Sequence, residues 1–384
     1  MNQSSNPNSN VLIDFDGKTS RFIIQTPPWM VDKVRAVPNR RWDSRRRVWT
    51  APALRANSEF LLSNFGDGVF TSTAREAANS AIQRVSNAKQ LIPFPAGYKF
   101  KTEPRKYQRD GLQRAWGKHA FSFNMDMGTG KTKTSLDLFS AYYIDGKVDR
   151  VLIVTKFSTR RNWEQEIAIH CPVATDVLVL DTSKAKAFEK WNTDGGEALK
   201  FLIVGTESLA AGNAVHMAQK FVDCSTRVGM VVDEAHMIKT HNAVRSKNCL
   251  KLGLSANYKL VMTGTPIANG PMDLFMQFEF LDPNIIGIGD FYSFRNRYAI
   301  MGGYEDRQIV GYTNLDELIE LVSPYVYQVR KSDVLTELPP KIYEIREVQL
   351  NDEQKRLYKE IAKHDKAVSG DRGIVVKTVL ERML

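Results

Sequence analysis

Cysteine and long apolar runs are both scarce in this sequence of 384 residues. The three cysteines (Cys171, Cys224 and Cys249) lie far apart and form no Cys-x-x-Cys pair, so neither a disulfide framework nor a zinc site follows from them. No stretch approaches the roughly 20 apolar residues that a membrane-spanning helix needs. Residues 1–10 are rich in Asn and Ser and lack the apolar core of a signal peptide. These absences favour an intracellular protein, in the cytoplasm or nucleoid, or in a nucleus.

Acidic residues are outnumbered as well. The chain carries 53 Lys and Arg against 43 Asp and Glu, for a net charge of +10 and an isoelectric point near 9.3. Such a surplus favours a polyanionic partner, and nucleic acid first. A basic enzyme with no such partner would have the same balance, so charge alone leaves both classes open.

Half of the positive surplus lies in residues 1–65, which hold ten Lys and Arg against five Asp and Glu. Residues 11–15 and 19–24 alternate as two strands do, and residues 26–37 suit a short helix. The basic stretch after them contains two tryptophans. Its arginines would clamp phosphates and its tryptophans would stack on bases, or else the stretch is a solvated hairpin with both tryptophans in a small core. The arginines predicted to contact DNA are Arg40, Arg41, Arg45, Arg46 and Arg47.

A glycine-containing turn at residues 125–132 (Met-Asp-Met-Gly-Thr-Gly-Lys-Thr) lies between an apolar run and a helical pattern. Strand, turn and helix N-terminus together form an anion site, with Lys131 reaching the terminal phosphates of a nucleotide and Thr132 holding Mg²⁺. Met125 stands where the strict pattern requires glycine, and the alternative is a glycine turn before a core helix. The predicted nucleotide contacts are Met127, Gly128, Thr129, Gly130, Lys131, Thr132 and Lys133.

A second predicted nucleotide contact lies some 20 residues earlier in the chain. Arg105 and Gln108 are three residues apart and would share one helical face. The amide of a glutamine offers a donor and an acceptor together, which matches an adenine edge. A surface glutamine with no ligand is the alternative when this segment is taken alone.

After the turn, short apolar runs alternate with helical patterns, which predicts a doubly wound parallel sheet. The run at residues 228–232 ends in Asp233-Glu234-Ala235-His236. Acidic residues at the carboxyl end of such a strand lie where these sheets bind ligands. Asp233 would hold Mg²⁺, and Glu234 would orient and deprotonate the attacking water. A further strand precedes the hydroxyl-rich turn that contains Thr263 and Thr265.

The order of these motifs resembles that of superfamily-two helicase motors, and most closely that of the Swi/Snf-type DNA translocases. The matching features are Met-Gly-Thr-Gly-Lys-Thr at residues 127–132, Asn162-Trp163, Asp-Glu-Ala-His at residues 233–236 and Leu-Pro-Pro-Lys at residues 338–341. The resemblance implies a RecA-like ATP-binding lobe, ATP and Mg²⁺ as ligands, and movement along duplex DNA. It implies DNA-backbone contacts at Lys156, Thr159, Arg160 and Thr240, and coupling roles for His236, Thr263 and Thr265.

The N-terminal stretch resembles, more loosely, the HepA-related module that precedes annealing-helicase motors. The shared features are an apolar strand, a helix, Trp42-Asp43 and a basic turn into Val48-Trp49. This resemblance implies a small α+β domain that recognises DNA structure. The expected organisation is a tail at residues 1–10, the small domain at 11–70, a helical linker at 71–97, the RecA-like lobe at 98–345, and the start of a connection to a second lobe at 346–384.

The resemblance also implies a second RecA-like lobe, which supplies an arginine finger, but the sequence after residue 358 is too short to form one. Slow hydrolysis of ATP is therefore expected of this chain, which is predicted to be monomeric. Two other functions stay open at this stage. One is a non-catalytic DNA-binding or interaction adaptor, which the presence of Lys131, Thr132, Asp233 and Glu234 disfavours. The other is an RNA helicase, because Asp-Glu-Ala-His also marks that class. DNA remodelling, annealing or repair is the expected role.

Overall fold

The computed structural model describes residues 11–17, 19–38, 40–210, 212–265, 270–303, 308–334, 344, 347, 349–364, 366–369 and 372–375. Contacts divide the chain into two units, Met1–Leu335 and Thr336–Leu384. Across these described ranges, no helix combines the length and the apolar character that crossing a membrane demands. The segment Leu-Pro-Pro-Lys, which carries part of the family resemblance, lies outside the described residues.

The first unit begins with a small antiparallel sheet, here called the N-terminal module (residues 11–70). Its strands are hydrogen-bonded in the order β1-β2-β4-β3, and two helices belong to it. The core under the sheet includes Ile13, Phe22 and Leu61, all fully buried. The elements are β1 (Leu12–Asp16), β2 (Arg21–Gln25), α1 (Val31–Arg35), β3 (Arg41–Asp43), β4 (Val48–Pro52) and α2 (Arg55–Phe65).

A long helix, α3 (Ser72–Lys89), follows the N-terminal module where a helical linker is predicted. The Thr71 hydroxyl caps it by accepting from the Ala74 backbone N–H at 3.2 Å. Ala74 and Ala78 are fully buried in the core of the N-terminal module, whereas Arg84 donates to Asp282 at 3.0 Å. The helix therefore joins the module to the region that follows it through packing at one end and an ion pair at the other.

The main lobe (residues 98–334) is built on a seven-stranded sheet with the order β13-β5-β10-β9-β6-β8-β7, in which every neighbouring pair is parallel. Its elements up to the sixth sheet strand are α4 (Lys106–Ala115), β5 (Ala120–Met125), α5 (Lys131–Ile144), β6 (Arg150–Thr155), α6 (Arg160–His170), β7 (Thr175–Val179), α7 (Ala185–Thr193), β8 (Leu199–Gly205), α8 (Gly212–Asp223), β9 (Val228–Asp233), α9 (Val244–Gly253) and β10 (Tyr258–Thr263). The later ones are α10 (Leu274–Leu281), α11 (Pro283–Ile286), α12 (Phe291–Tyr298), β11 (Ala299–Gly302), β12 (Gln308–Tyr312), α13 (Leu315–Val322), β13 (Val326–Val329) and α14 (Lys331–Val334).

Burial on both faces explains why the sheet strands read as continuous apolar runs. In β6, Leu152 and Val154 belong to the apolar cluster on one face, whereas Val151 and Ile153 belong to the cluster on the other. Helices cover both faces, as βαβ crossovers require. The predicted fold class, a RecA-like doubly wound sheet preceded by a small α+β domain, is confirmed.

The second unit has three described elements. A helix, α15 (Asp352–His364), is followed by the antiparallel strands β14 (Lys366–Ser369) and β15 (Arg372–Val375). The Asn351 side chain accepts from the Gln354 backbone N–H at 2.8 Å, which caps the start of the helix. This helix contains Gln354 and Tyr358.

Candidate active site

The phosphate loop (residues 126–130) connects the end of β5 to the first turn of α5. Gly128 and Gly130 have φ angles of 83° and 81°, which a residue with a side chain adopts only under strain. The Thr129 hydroxyl donates to the Asp126 carbonyl oxygen at 2.7 Å and closes the loop on itself. Because α5 begins directly after Gly130, its first backbone N–H groups lie at the mouth of the loop. Such a loop binds phosphate.

An ion pair joins the phosphate loop to the acidic residues at the end of β9. Lys131 Nζ donates to Glu234 Oε1 at 3.0 Å, and the two side chains are only 12% and 17% exposed. Glu234 has a φ angle of 50°, a left-handed conformation that is uncommon for a residue other than glycine. The strand order explains why Lys131 and Glu234 are in contact, since only β10 separates β5 from β9. Two residues predicted from distant motifs thus lie in direct contact.

Asp233 lies deeper than Glu234 and is held by two donors. Its Oδ2 accepts from the Thr155 hydroxyl and from Trp163 Nε1, both at 3.0 Å. Burial raises the pKa of the Asp233 carboxyl above its ordinary value, and the hydrogen bond from Trp163 opposes that rise. Sequence reasoning gave neither donor a role. The sequence feature that could have indicated a role for Thr155 is its position as a polar residue at the end of an apolar run, in the strand that pairs with β9.

The residues predicted to couple nucleotide state to movement lie close to the acidic pair. His236 Nδ1 is 3.3 Å from Glu234 Oε2, without hydrogen-bond geometry. The Thr263 hydroxyl accepts from the Thr265 backbone N–H at 3.1 Å and shapes the turn after β10. Residues 266–269, which complete that turn, lie outside the described residues. The coupling roles themselves stay a prediction.

Gln108 is placed against the phosphate loop rather than on an open face. Its Nε2 donates to the Thr129 carbonyl oxygen at 3.0 Å, and its Oε1 accepts from the Arg105 backbone N–H at 2.8 Å. The side chain is buried, whereas Arg105 is exposed at the N-cap of α4. The expected shared helical face is therefore not observed. Gln108 therefore supports the loop through its amide, and its predicted contact with adenine stays a prediction.

Lys133 was predicted as a nucleotide contact, but its ammonium points into the protein interior. Lys133 Nζ is 2.6 Å from Asp137 Oδ2, one turn further along α5, and the side chains are 8% and 0% exposed. Tyr98 donates to the other oxygen of Asp137 at 3.2 Å. The two ammonium groups point apart because Lys131 and Lys133 are two residues apart and so lie on different faces of the helix. A nucleotide contact by Lys133 stays a prediction.

The donors around the loop fit a magnesium ion. Mg²⁺ prefers hard oxygen ligands and is usually bound through one or two carboxylates together with substrate phosphates. Thr132 is half-buried in the first turn of α5, and Asp233 is fixed by its two donors at the end of β9. A hydroxyl and a carboxylate at the phosphate loop are the donor set that such an ion needs.

The edge of the sheet at the ends of β6 and β8 carries the residues predicted to contact DNA. Lys156 is half-buried, and Thr159 contacts the Thr155 hydroxyl at 2.7 Å. The Arg160 guanidinium stacks on the exposed Phe157 ring, 3.6 Å from its centroid, and donates to the Leu180 carbonyl oxygen at 2.9 Å. A cavity of about 660 Å³ opens here. Its basic lining residues are Arg160, Arg161 and Lys184. Thr240 is exposed beyond the short helix Ala235–Ile238.

The basic hairpin of the N-terminal module presents its arginines to solvent. The turn between β3 and β4 is held by the Asp43 carboxylate, which accepts from the backbone N–H groups of Arg45 and Arg46 at 3.0 and 3.1 Å. Trp42 is 50% exposed, whereas Trp49 packs against the module core, with ring centroids 5.1 Å apart. The core interpretation thus holds for Trp49, whereas stacking of the exposed Trp42 on bases stays a prediction. The exposed arginines are Arg40, Arg41, Arg45, Arg46 and Arg47.

The sheet, the glycine loop and the paired lysine and carboxylate define a RecA-like P-loop lobe. The chain belongs to the SNF2-related domain family, whose match covers residues 107–384. This membership confirms the predicted Swi/Snf-type motor lobe. The comparison says nothing of residues 1–106, so the likeness of the N-terminal module to the HepA-related module stays a prediction.

Several named proteins are similar to this chain. It is 31% identical over 241 residues to the ISWI chromatin-remodeling complex ATPase CHR11 of Arabidopsis thaliana. The aligned residues cover 62% of this chain and 21% of the relative. It is 29% identical over 258 residues to the DNA annealing helicase and endonuclease ZRANB3 of Bos taurus, and the aligned residues cover 66% of this chain and 23% of that relative. The Sulfolobus solfataricus SWI2/SNF2 ATPase core in complex with dsDNA is a structural neighbour, with a TM-score of 0.49, 23% identity and coverage of 73% and 57%. The chain spans about a quarter, at most, of the length of the first curated relatives.

Proposed function

We propose that this chain is the ATP-hydrolysing first lobe of a Swi/Snf-type DNA translocase. The observation that carries the proposal is the contact between Lys131 and Glu234, at 3.0 Å in a largely enclosed site. A lysine after a phosphate loop and a glutamate at the end of a neighbouring strand are the two groups that bind the terminal phosphates and activate water.

The ion pair suggests how nucleotide binding prepares the site. A nucleotide phosphate would compete with the Glu234 carboxylate for the Lys131 ammonium. Once released, Glu234 would accept a proton from the attacking water. Mg²⁺ held by Thr132 and Asp233 would neutralise charge on the outer phosphates. The Thr155 and Trp163 donors would keep the Asp233 carboxylate ionised and correctly oriented for that task.

DNA is the proposed track of the motor. The basic cavity beside Arg160 and the exposed arginines of the basic hairpin are suited to phosphate-backbone contacts, which carry no base specificity. The family resemblance favours duplex or forked DNA, with remodelling, annealing or repair as the biological use. We further propose that a second RecA-like lobe supplies an arginine finger, whose contribution to such reactions is on the order of 10³–10⁵ in rate.

Single-turnover ATP hydrolysis, with protein in excess over nucleotide, tests the proposal. The reaction is measured without nucleic acid and then with duplex DNA, forked DNA or duplex RNA of equal length. Stimulation by DNA and not by RNA is the expected result. Stimulation by RNA alone would instead indicate an RNA helicase. DNA binding without any hydrolysis, by this chain and also by one extended at its C-terminus with a second lobe, would indicate an adaptor.

A further inference from the structure

Lys331 lies beside the phosphate loop although it is about 200 residues away in the sequence. β13 pairs in parallel with β5, and Val329 is in register with Met125, the last residue before the loop. The chain therefore leaves β13 at the same edge at which β5 enters the loop. This neighbourhood contains the start of α14 and the Asp126 carboxylate.

Two hydrogen bonds to Asp126 fix this approach. The Asp126 backbone N–H donates to the Val329 carbonyl oxygen at 3.0 Å. In return, the Lys331 backbone N–H donates to the Asp126 side chain, at Oδ2, at 2.8 Å. The main chain of residues 329–331 is thus held to Asp126, so the position of the Lys331 Cα does not depend on where its own side chain points.

The Lys331 ammonium is directed at the loop. A Cβ built on Gly128 would lie 3.9 Å from Lys331 Nζ, closer to it than to any other atom outside the neighbouring residues. The side chain is exposed, and no carboxylate among the described residues pairs with it. Lys131 and Lys133 differ in this respect, because each is already paired with an acidic residue.

We propose that Lys331 is a further phosphate-binding residue, which closes the site from the β13 side and contacts the phosphate chain of the bound nucleotide. The inference rests on the proposed function. An ammonium on a flexible stem, held at its base by the loop itself, can reach an anion over Gly128, where no side chain obstructs it. Lys131 approaches the same anion from the start of α5, so the two lysines would flank it.

Equilibrium affinities for ATP, ADP and adenosine, in the presence of Mg²⁺ and at low salt, test this inference. We expect Lys331→Ala to weaken ATP and ADP binding by about three- to tenfold, the range of a partly exposed charge-assisted contact. Adenosine, which has no phosphate, should bind equally to the variant and the wild type. Lys331→Arg should recover most of the affinity, because it restores the charge.

Lys190→Ala is the matched control. This exposed lysine lies on α7, which crosses between β8 and β7 at the opposite edge of the sheet from β13. Its removal takes away the same charge and should leave all three affinities unchanged. Melting temperatures equal to that of the wild type in both variants would show that neither lysine is needed for folding.

The outcomes separate this inference from the proposed function. Unchanged ATP and ADP affinities in Lys331→Ala, together with a large loss in Lys131→Ala, would overturn the inference and keep the ATP site. An equal loss of adenosine binding would also overturn it, because the effect would then be structural. A wild-type chain that binds no ATP would overturn the proposed function itself.

Discussion

Replacing Lys133 with methionine removes one half of a buried ion pair and keeps most of the side-chain volume. The partner carboxylate, Asp137, is fully buried and would retain only the hydrogen bond from Tyr98. Breaking a buried pair by removing one partner costs about 3–5 kcal/mol, because the remaining charge is left without compensation. Solvent screening does not reduce this figure much, since Lys133 is only 8% exposed.

The expected loss is large enough to see in thermal melting. For a domain of this size, each kcal/mol shifts the melting temperature by roughly 2–4 °C, so Lys133→Met should melt at least about 6 °C below the wild type at pH 8. The deficit should shrink towards pH 5. Burial already raises the pKa of the Asp137 carboxyl, and the loss of Lys133 raises that pKa further. The unpaired carboxylate therefore becomes protonated as the pH falls, and the neutral group no longer destabilises the fold.

A second variant makes the test specific. Asp137→Asn in the Lys133→Met background removes the uncompensated charge but keeps an oxygen that accepts from Tyr98. The double variant should recover most of the lost stability, and its melting temperature should differ from that of the wild type by nearly the same amount at pH 5 and at pH 8. A single variant that melts within about 2 °C of the wild type at pH 8, or a double variant that recovers nothing, would refute the reasoning.

Three further predictions concern the site and the basic hairpin. Trp163→Phe removes a hydrogen-bond donor that lowers the pKa of Asp233, so the variant should lose more Mg²⁺-dependent ATP affinity at pH 6 than at pH 8. Binding titrations at the two pH values measure this, and an equal loss of affinity at both would contradict it. Gln108→Ala should lower ATP and GTP affinity alike, because the amide supports the loop; a loss confined to ATP would instead mean adenine recognition. Replacing the arginines at residues 45–47 with alanine should weaken DNA binding and flatten its salt dependence, and an unchanged slope would exclude these contacts.

Much of the fold could be predicted because the five inner strands of the central sheet are buried on both faces. That burial demands continuous apolar runs, and the runs at β6, β8, β9 and β10 are visible in the sequence as such. Polar residues that follow the runs then mark the ligand edge. Lys131 and Glu234 were placed in one site on this reasoning, and they are in contact.

Side-chain direction and long-range partners were harder to predict. Lys133 belongs to the same motif as Lys131, but the helical turn between them sends its ammonium to Asp137. Gln108 was assigned to the nucleotide, but in the structure its amide donates to the Thr129 carbonyl oxygen of the loop and accepts from the Arg105 backbone N–H. Nothing in the local sequence assigned Lys331 to the phosphate loop, because its proximity to Gly128 depends on β13 pairing with β5 across about 200 residues. Such contacts depend on the strand order, which periodicity does not reveal.

Single-turnover hydrolysis of ATP by Glu234→Gln, beside the wild type and with duplex DNA present, tests the central claim most directly. The glutamine keeps the shape of the side chain but cannot accept the proton of water. The variant should bind ATP with an affinity within a few-fold of the wild type and hydrolyse it on the order of 10²–10⁴ times more slowly. Hydrolysis at the wild-type rate would show that Glu234 is not the catalytic base and would contradict the account.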